Sequence, residues 1–350
     1  MDNNSESMVT VIMCTYRRPR LLKRAINSVL NQTYPHLKIC IYDDASGDET
    51  PEVVAEFAKK DARVVYQCHE KNIGAVKNLR YGSERVDTSF FAILPDDDVF
   101  LPRHLEFAME GFKQNPEAIF SANQSISINS SGMIHKVTLH EGCRNGLYKP
   151  PEGLMFLLSI DPCILQGAVF RREVNEEIGF YDPEVAHISD WDYVFRIAAQ
   201  CPFVINKKPG ALFFVNPEGF SSSVLNKFYW PEWLKMYRKL MDHPLLDADT
   251  KKAVEFHLKN RLRSLLVNQG KQAILVKDYL TAGSAAETLK DFFKSNRLYL
   301  KLTILGKLCK YFPPLRWYLK LYGSLRNVKK SFKKRHRFPE YQQYATFLKN

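Results

Sequence analysis

No stretch of the sequence approaches the roughly 20 consecutive apolar residues that cross a bilayer, so a membrane-spanning helix is not expected. The opening residues, MDNNSESMVTV, lack a basic region followed by an apolar core, which argues against a secretory signal. The seven cysteines (Cys14, Cys40, Cys68, Cys143, Cys163, Cys201 and Cys309) contain no C-x-x-C pair. Their odd number and scattered spacing exclude a disulfide framework and a structural zinc site, and point to reduced thiols in a cytoplasmic protein. Internal repeats and low-complexity linkers are also missing.

What is present is the composition of a folded protein: 45% apolar and 25% charged residues in 350. That length buries a large core in one big domain or two of ordinary size. The net charge of +12 is uneven. From Lys290 onward there are sixteen Lys and Arg against Asp291 and Glu340, and the residues before them sum to −2. A near-neutral body therefore carries a basic tail.

The first hundred residues alternate between two patterns. MVTVIMCT (8–15), LKICIYDDAS (37–46), ARVVYQC (62–68) and SFFAILP (89–95) read as buried strands. Helices fit between them: one opened by Pro19, one opened by Thr50 and Pro51, and one from about Gly74 to Arg85. A further helix follows Pro102. This rhythm predicts a mostly parallel α/β sheet with helices on both faces. Later, residues 118–139 read as a hairpin turning at Asn129–Gly132, SDWDYVFRIAAQ as a helix, and FVIN and ALFFV as two strands. From Trp230 the pattern is helical. The expected division is a catalytic domain over 1–225 and a helical C-terminal region over 226–350.

Ligands of parallel sheets bind beyond the carboxyl ends of the strands. Thr15 to Arg17, Asp43–Asp44 and Asp96–Asp98 each follow a strand there. Three adjacent carboxylates repel one another unless a cation stands among them. A hard divalent ion suits such a cluster, because it bridges protein carboxylates and phosphate oxygens.

The stretches VTVIMCTYRRPRLLKRAINSVLNQTYPHLKICIYDDASGDET, NIGAVKN, LPDDDVFLP, FRREVNEEIGFYDP and ISDWDYVFRIA resemble, in order and spacing, the family 2 glycosyltransferases. The resemblance covers roughly residues 8 to 220. It implies the GT-A fold (Rossmann-like), inverting transfer of a sugar from a nucleotide diphosphate, UDP foremost, and Mn²⁺ or Mg²⁺ as cofactor.

The resemblance also implies roles. Asp96 and Asp98 frame the family's D-x-D motif around Asp97, with Asp98 and Asp96 as metal ligands. Which of the three acids touches the metal stays open at this point. Asp43 or Asp44 would accept a hydrogen bond from the base, and Thr15, Tyr16 and Arg17 would lie beside it. Arg17 stands where the family usually has Asn. Lys77 is either a cation for the diphosphate or an ordinary exposed lysine. Gly167 would let the backbone approach the donor. Asp190 matches the general base, although Ser189 replaces the family's glutamate before it, and Asp192 is the fallback. Trp191 stacks on a sugar or packs in the core. Asn216 occupies the position of a frequent histidine, which leaves the metal preference open.

Residues 297–338 mix Leu, Tyr, Phe and Trp with many cations. The segment reads either as a contact for the anionic inner face of the cell membrane or as a packed helical subdomain. No nucleic-acid motif is present, and no nucleic-acid partner is expected. The acceptor implied is a glycan or lipid-linked glycan of cell-surface polysaccharide synthesis. Two competitors remain. A sugar nucleotidyltransferase would want a glycine-rich phosphate loop, which MCTYRRPR lacks. A non-catalytic binding relative would keep the fold and lose the base or the metal acids.

Overall fold

The computed structural model describes residues 7–129, 132–139, 143–160, 167–215, 229–334 and 338–348. The chain divides into two units, Met1–Gly219 together with Phe338–Asn350, and Phe220–Arg337.

The first unit opens with β1 (Val9–Thr15), α1 (Pro19–Leu30), β2 (Leu37–Asp43), α2 (Thr50–Ala58), β3 (Val64–Cys68), α3 (Ala75–Ser83) and β4 (Phe90–Ile93). β1 is buried along almost its whole length, as its apolar sequence VTVIMCT requires of a strand covered on both faces. α1 starts at Pro19, whose missing N–H costs nothing there, and buries Leu22, Ala25, Ile26 and Val29 at helical spacing. β2 pairs with β1 in parallel with Thr15 opposite Asp43. β4 flanks the other side of β1 in parallel, with Ile12 opposite Ile93. β3 lies outside β2, also parallel. Three carboxyl ends, those of β1, β2 and β4, thus open on one rim.

The remainder of this unit comprises β5 (Val99–Phe100), α4 (His104–Gln114), β6 (Phe120–Asn129), β7 (Ile134–Val137), β8 (Gly146–Tyr148), α5 (Glu152–Ser159), β9 (Ala168–Arg171), α6 (Glu173–Glu177), a 3-10 turn (Pro183–Ile188), α7 (Ser189–Ala198) and β10 (Phe203–Val215). Among the described residues the strands form one mixed ten-stranded sheet in the order β3-β2-β1-β4-β9-β6-β10-β5, with β7 on β6 and β8 on β10. β9 runs antiparallel to β4 and β6, while β6 and β10 are parallel. The parallel order is confined to the first half and to this pair.

The hairpin expected around Asn129–Gly132 forms as β6 and β7. FVIN and ALFFV, expected as two strands, are the ends of the single strand β10. Its pairing with β6 continues through register shifts at Pro209. Between FVIN and ALFFV, Gly210 lets the backbone stay in place. A Cβ there would sit 2.5 Å from the Asn123 Cβ and 2.6 Å from His104 Nδ1.

The second unit contains α8 (Trp230–Met241), α9 (Ala248–Leu275), α10 (Tyr279–Asp291), α11 (Asn296–Tyr311) and α12 (Pro313–Lys334). Asp247 caps α9 by accepting from the Thr250 N–H at 2.7 Å, and Asp278 caps α10 through Thr281 at 3.0 Å. Gly270 lets α11 approach α9: a Cβ would lie 2.5 Å from Leu302 Cδ2. The chain then rejoins the first unit, where the 3-10 segment Pro339–Leu348 packs Ala345 into a cluster with Val99, Ile126, Ile128, Ile134 and Leu212. No helix among the described residues is long and apolar enough to cross a membrane.

Candidate active site

Where β1 ends, the Thr15 hydroxyl donates to Asp96 Oδ2 at 2.8 Å, bridging two strand ends. The Thr15 carbonyl accepts from the Asp44 N–H at 2.9 Å, which ties in the third. Thr15 therefore acts through both side chain and backbone. Arg18, the residue before α1, donates from Nη1 to Asp96 Oδ1 at 2.9 Å and to Asp97 Oδ2 at 3.2 Å. Arg24, nearly two turns further on in α1, donates to the Asp97 carbonyl at 2.6 Å.

Asp43 is fully buried. Its Oδ1 accepts from the Ser46 N–H at 3.0 Å and hydroxyl at 2.5 Å, and its Oδ2 from the Tyr66 hydroxyl at 2.7 Å. It braces the turn that follows β2, in which Ala45 and Gly47 take left-handed φ of 59° and 64°. Asp44 accepts from the N–H groups of Ile73 at 2.6 Å and Gly74 at 2.9 Å, fixing the loop that starts α3. Arg17, also at positive φ (56°), holds Ser46 through its own N–H at 2.8 Å and its Nε at 3.1 Å. Its guanidinium lies 5.0 Å from the centre of the exposed Tyr16 ring. Lys77 is exposed on α3.

Asp96 and Asp98 are both buried. Burial lifts the Asp96 pKa from 3.8 to about 6, opposed by Arg18 and assisted by Asp97. Burial, then Asp97, pushes Asp98 well above the usual carboxylate range, against the hydrogen bond from Phe214. That bond, Phe214 N–H to Asp98 Oδ1, is 2.8 Å long. The other oxygen, Oδ2, is buried with no hydrogen-bond partner among the described residues. Native interiors rarely leave a carboxylate oxygen orphaned, and a divalent cation is what such an oxygen accommodates. Among the described residues no group of three acidic, histidine or cysteine side chains has the spacing of a complete metal cage. Asp96 and Asp98 are the residues here that could hold a divalent cation.

In the second half of the unit, Asp190 lies in the first turn of α7, half-buried, and its Oδ1 accepts from the Trp191 N–H at 2.9 Å. Its charge helps raise the pKa of the buried Tyr181, chiefly a burial effect. Asp192, the fallback base, is buried and accepts from Arg196 Nε at 2.7 Å. Arg196 also donates to the carbonyls of Ile178, Gly179 and Phe180, so Asp192 secures a structural clamp. Trp191 meets Phe195 edge-on at 5.8 Å. At Gly167 the space left by the missing side chain is filled by the protein itself. A Cβ would fall 2.3 Å from the Asn123 carbonyl oxygen and 2.8 Å from Ser125 Oγ. Asn216 lies outside the described residues.

The residues that sequence reasoning missed are Arg18, Arg24 and Phe214. A cation for three clustered acids was foreseeable in the turn after β1, although the neighbouring Arg17 drew the attention. An amide donor on β10 carries no sequence signal.

Residues 10–179, just under half of the chain, match the family model described as Glycosyl transferase family 2. The chain is 24% identical over 196 residues to an uncharacterized glycosyltransferase of Methanocaldococcus jannaschii, covering 55% of this chain and 65% of that one. It is 29% identical over 131 residues to WfgD of Escherichia coli, covering 37% of this chain and 50% of WfgD. WfgD is a UDP-Glc:alpha-D-GlcNAc-diphosphoundecaprenol beta-1,3-glucosyltransferase. The chain thus spans less than two thirds of either relative. Among solved structures, Staphylococcus aureus TarS 1–349 with UDP-GlcNAc shares the fold at a TM-score of 0.65 and 14% identity, covering 81% of each chain. The mannosyltransferase PcManGT of Pyrobaculum calidifontis, with GDP-Man and Mn²⁺, aligns at a TM-score of 0.51 and 16% identity over 87% of each chain.

Proposed function

We propose that this protein transfers a sugar, with inversion, from a nucleotide diphosphate, a UDP-sugar foremost, to a hydroxyl of a glycan or lipid-linked glycan in cell-surface polysaccharide synthesis. One observation carries the reading. Thr15, Asp44 and Asp96–Asp98 meet at the carboxyl ends of three parallel strands, and Asp98 presents a buried oxygen with no partner among the described residues. The names of WfgD, TarS and PcManGT support the substrate class.

In this reading the turn braced by Asp43, Ser46 and Arg17 receives the base, and Tyr16 offers an exposed ring face beside it. Asp98 and Asp96 would hold Mn²⁺ or Mg²⁺. When bound, the ion neutralises the charge that grows on the leaving nucleotide diphosphate. Arg18 keeps Asp96 and Asp97 oriented, and Lys77 adds a point charge toward the phosphates. Asp190 takes the proton of the acceptor hydroxyl as its oxygen bonds to the anomeric carbon. The bond from that carbon to the diphosphate breaks in the same displacement, so no glycosyl–enzyme intermediate forms. Trp191 flanks the base and offers a ring to a sugar face.

The same reading gives the tail a membrane role. On α11, Leu302 and Cys309 are buried, while Leu300, Ile304, Leu308 and Tyr311 are exposed among Arg297, Lys301, Lys307 and Lys310. Trp317 and Leu321 of α12 are exposed as well. A helix that packs one apolar face and leaves a second, lysine-flanked one open suits an anionic lipid surface. The test of the activity is incubation with labelled nucleotide sugars and glycan acceptors, with and without manganese. Manganese-dependent release of UDP with a glycosylated product is expected. Release of pyrophosphate, or of nothing from any donor, refutes the proposal.

A further inference from the structure

β5 follows the three acids directly and is only two residues long, at the edge of the sheet. Its sheet pairing consists of Val99 opposite Leu212 and Phe100 opposite Ala211 on β10. Two register pairs on an edge give little stability by themselves, so side-chain packing has to fix this strand. Part of it comes from the main core, where Phe100 lies and where its N–H donates to Ser28 Oγ of α1 at 3.2 Å, and part from a distant stretch of the chain. Ala345 joins Val99, Leu101, Ile126, Ile128, Ile134 and Leu212 in one buried cluster, with Phe338, Tyr341 and Tyr344 packed against it. Gln342 Nε2 donates to the Gly132 carbonyl at 3.0 Å, pinning the segment over the β6–β7 hairpin.

Phe214 links this cluster to the acids. Its ring packs against the cluster on one side and lies 5.4 Å from the Arg24 guanidinium. Its N–H is the donor that holds Asp98 Oδ1. Val99, the residue after Asp98, is itself a member of the cluster. Both the backbone that carries Asp98 and the amide that orients its carboxylate therefore rest on the surface that the C-terminal segment covers.

We propose that Phe338–Leu348 is a positioning strap: by packing on β5 and β10 it keeps Asp98 aimed for the cation and diphosphate. This deepens the transferase reading and rests on it for the ligand, though not for the strap's effect on Asp98. Residues that orient a metal-binding side chain typically govern affinity by 10–100-fold.

The test uses the full chain carrying Ala345→Asp, which drives a charge into the cluster, and separately Tyr344→Ala, which trims the contact without burying charge. Gln342→Ala serves as a mild control. Hydrogen exchange is followed at the Phe214 amide, and UDP binding is titrated in the presence of Mn²⁺. With far-UV circular dichroism unchanged, we expect faster exchange at Phe214 and about 10–100-fold weaker UDP binding for Ala345→Asp. Tyr344→Ala should shift both in the same direction by less. Should Ala345→Asp unfold the protein, Tyr344→Ala decides alone. Exchange at Phe214 and UDP affinity equal to the parent's in a folded variant would overturn the strap. Failure of the parent itself to bind UDP would instead count against the transferase reading, and the ligand-free exchange result would still decide the strap.

Discussion

The acids of the sheet rim and the acid of α7 are held in opposite ways. Asp96 is buried between Thr15 and Arg18, and Asp98 is buried against the Phe214 amide. Both are pushed toward protonation by burial, a tendency that a bound cation would reverse. Asp190 is half-buried at a helix start and accepts from the adjacent Trp191 N–H. Rigid placement suits a group that must hold an ion still through a reaction. A carboxylate at the first turn of a helix, within reach of solvent, suits one that takes up a proton and releases it again.

The contrast breaks most sharply at Asp190. Asp190→Asn should lower the transfer rate by about 10²–10⁴-fold while leaving UDP affinity unchanged, measured by steady-state kinetics beside calorimetric titration. A loss of UDP binding in step with the rate would put Asp190 on the donor side and dissolve the distinction. Two residues on, Asp192→Ala should spare the chemistry and strip Arg196 of its buried partner. A cost of about 3 kcal/mol in urea unfolding is expected, together with a near-parental rate per folded molecule. Full stability with lost activity would return Asp192 to the role of base.

Asp98→Asn sharpens the other side. Removing the charge from the buried carboxylate should weaken manganese-dependent UDP binding by about 10–100-fold, read by titration. Burial also drives the His104 pKa down from 6.5 to about 3, so the folded protein keeps this ring neutral while the unfolded chain protonates it. The stability His104 contributes is therefore complete above about pH 6.5 and is lost as pH falls toward 3. Between pH 7 and 5 this loss should reach about 2 kcal/mol, and His104→Gln should flatten the dependence. An unchanged pH slope in that variant would show that other groups carry the acid sensitivity.

Much of the first half was legible because each strand there is an apolar run that stops at a hydrophilic cluster. LPDDD and IYDDAS announce both a strand end and its chemistry, and parallel order follows from the intervening helices. The hairpin at Asn129–Gly132 was legible from its turn residues. What escaped reading depends on distance in the chain. Arg18 reaches Asp96 across 78 residues, and nothing in the spacing says whether it or Arg17 turns inward. Pro209 and Gly210 looked like the end of a strand, because the close approach of Asn123 and His104 that requires a glycine there is tertiary. The return of Ala345 to β5 is likewise invisible to periodicity, since the segment that carries it is short and its partners lie on several strands.

Titration of UDP into the parent protein, once with manganese and once with the ion removed by chelation, tests the central claim most directly. The account predicts saturable binding with manganese, lost on chelation, and electron density for the ion beside Asp98 in a crystal of that complex. Equal binding in both conditions, with no ion at Asp98, would contradict it.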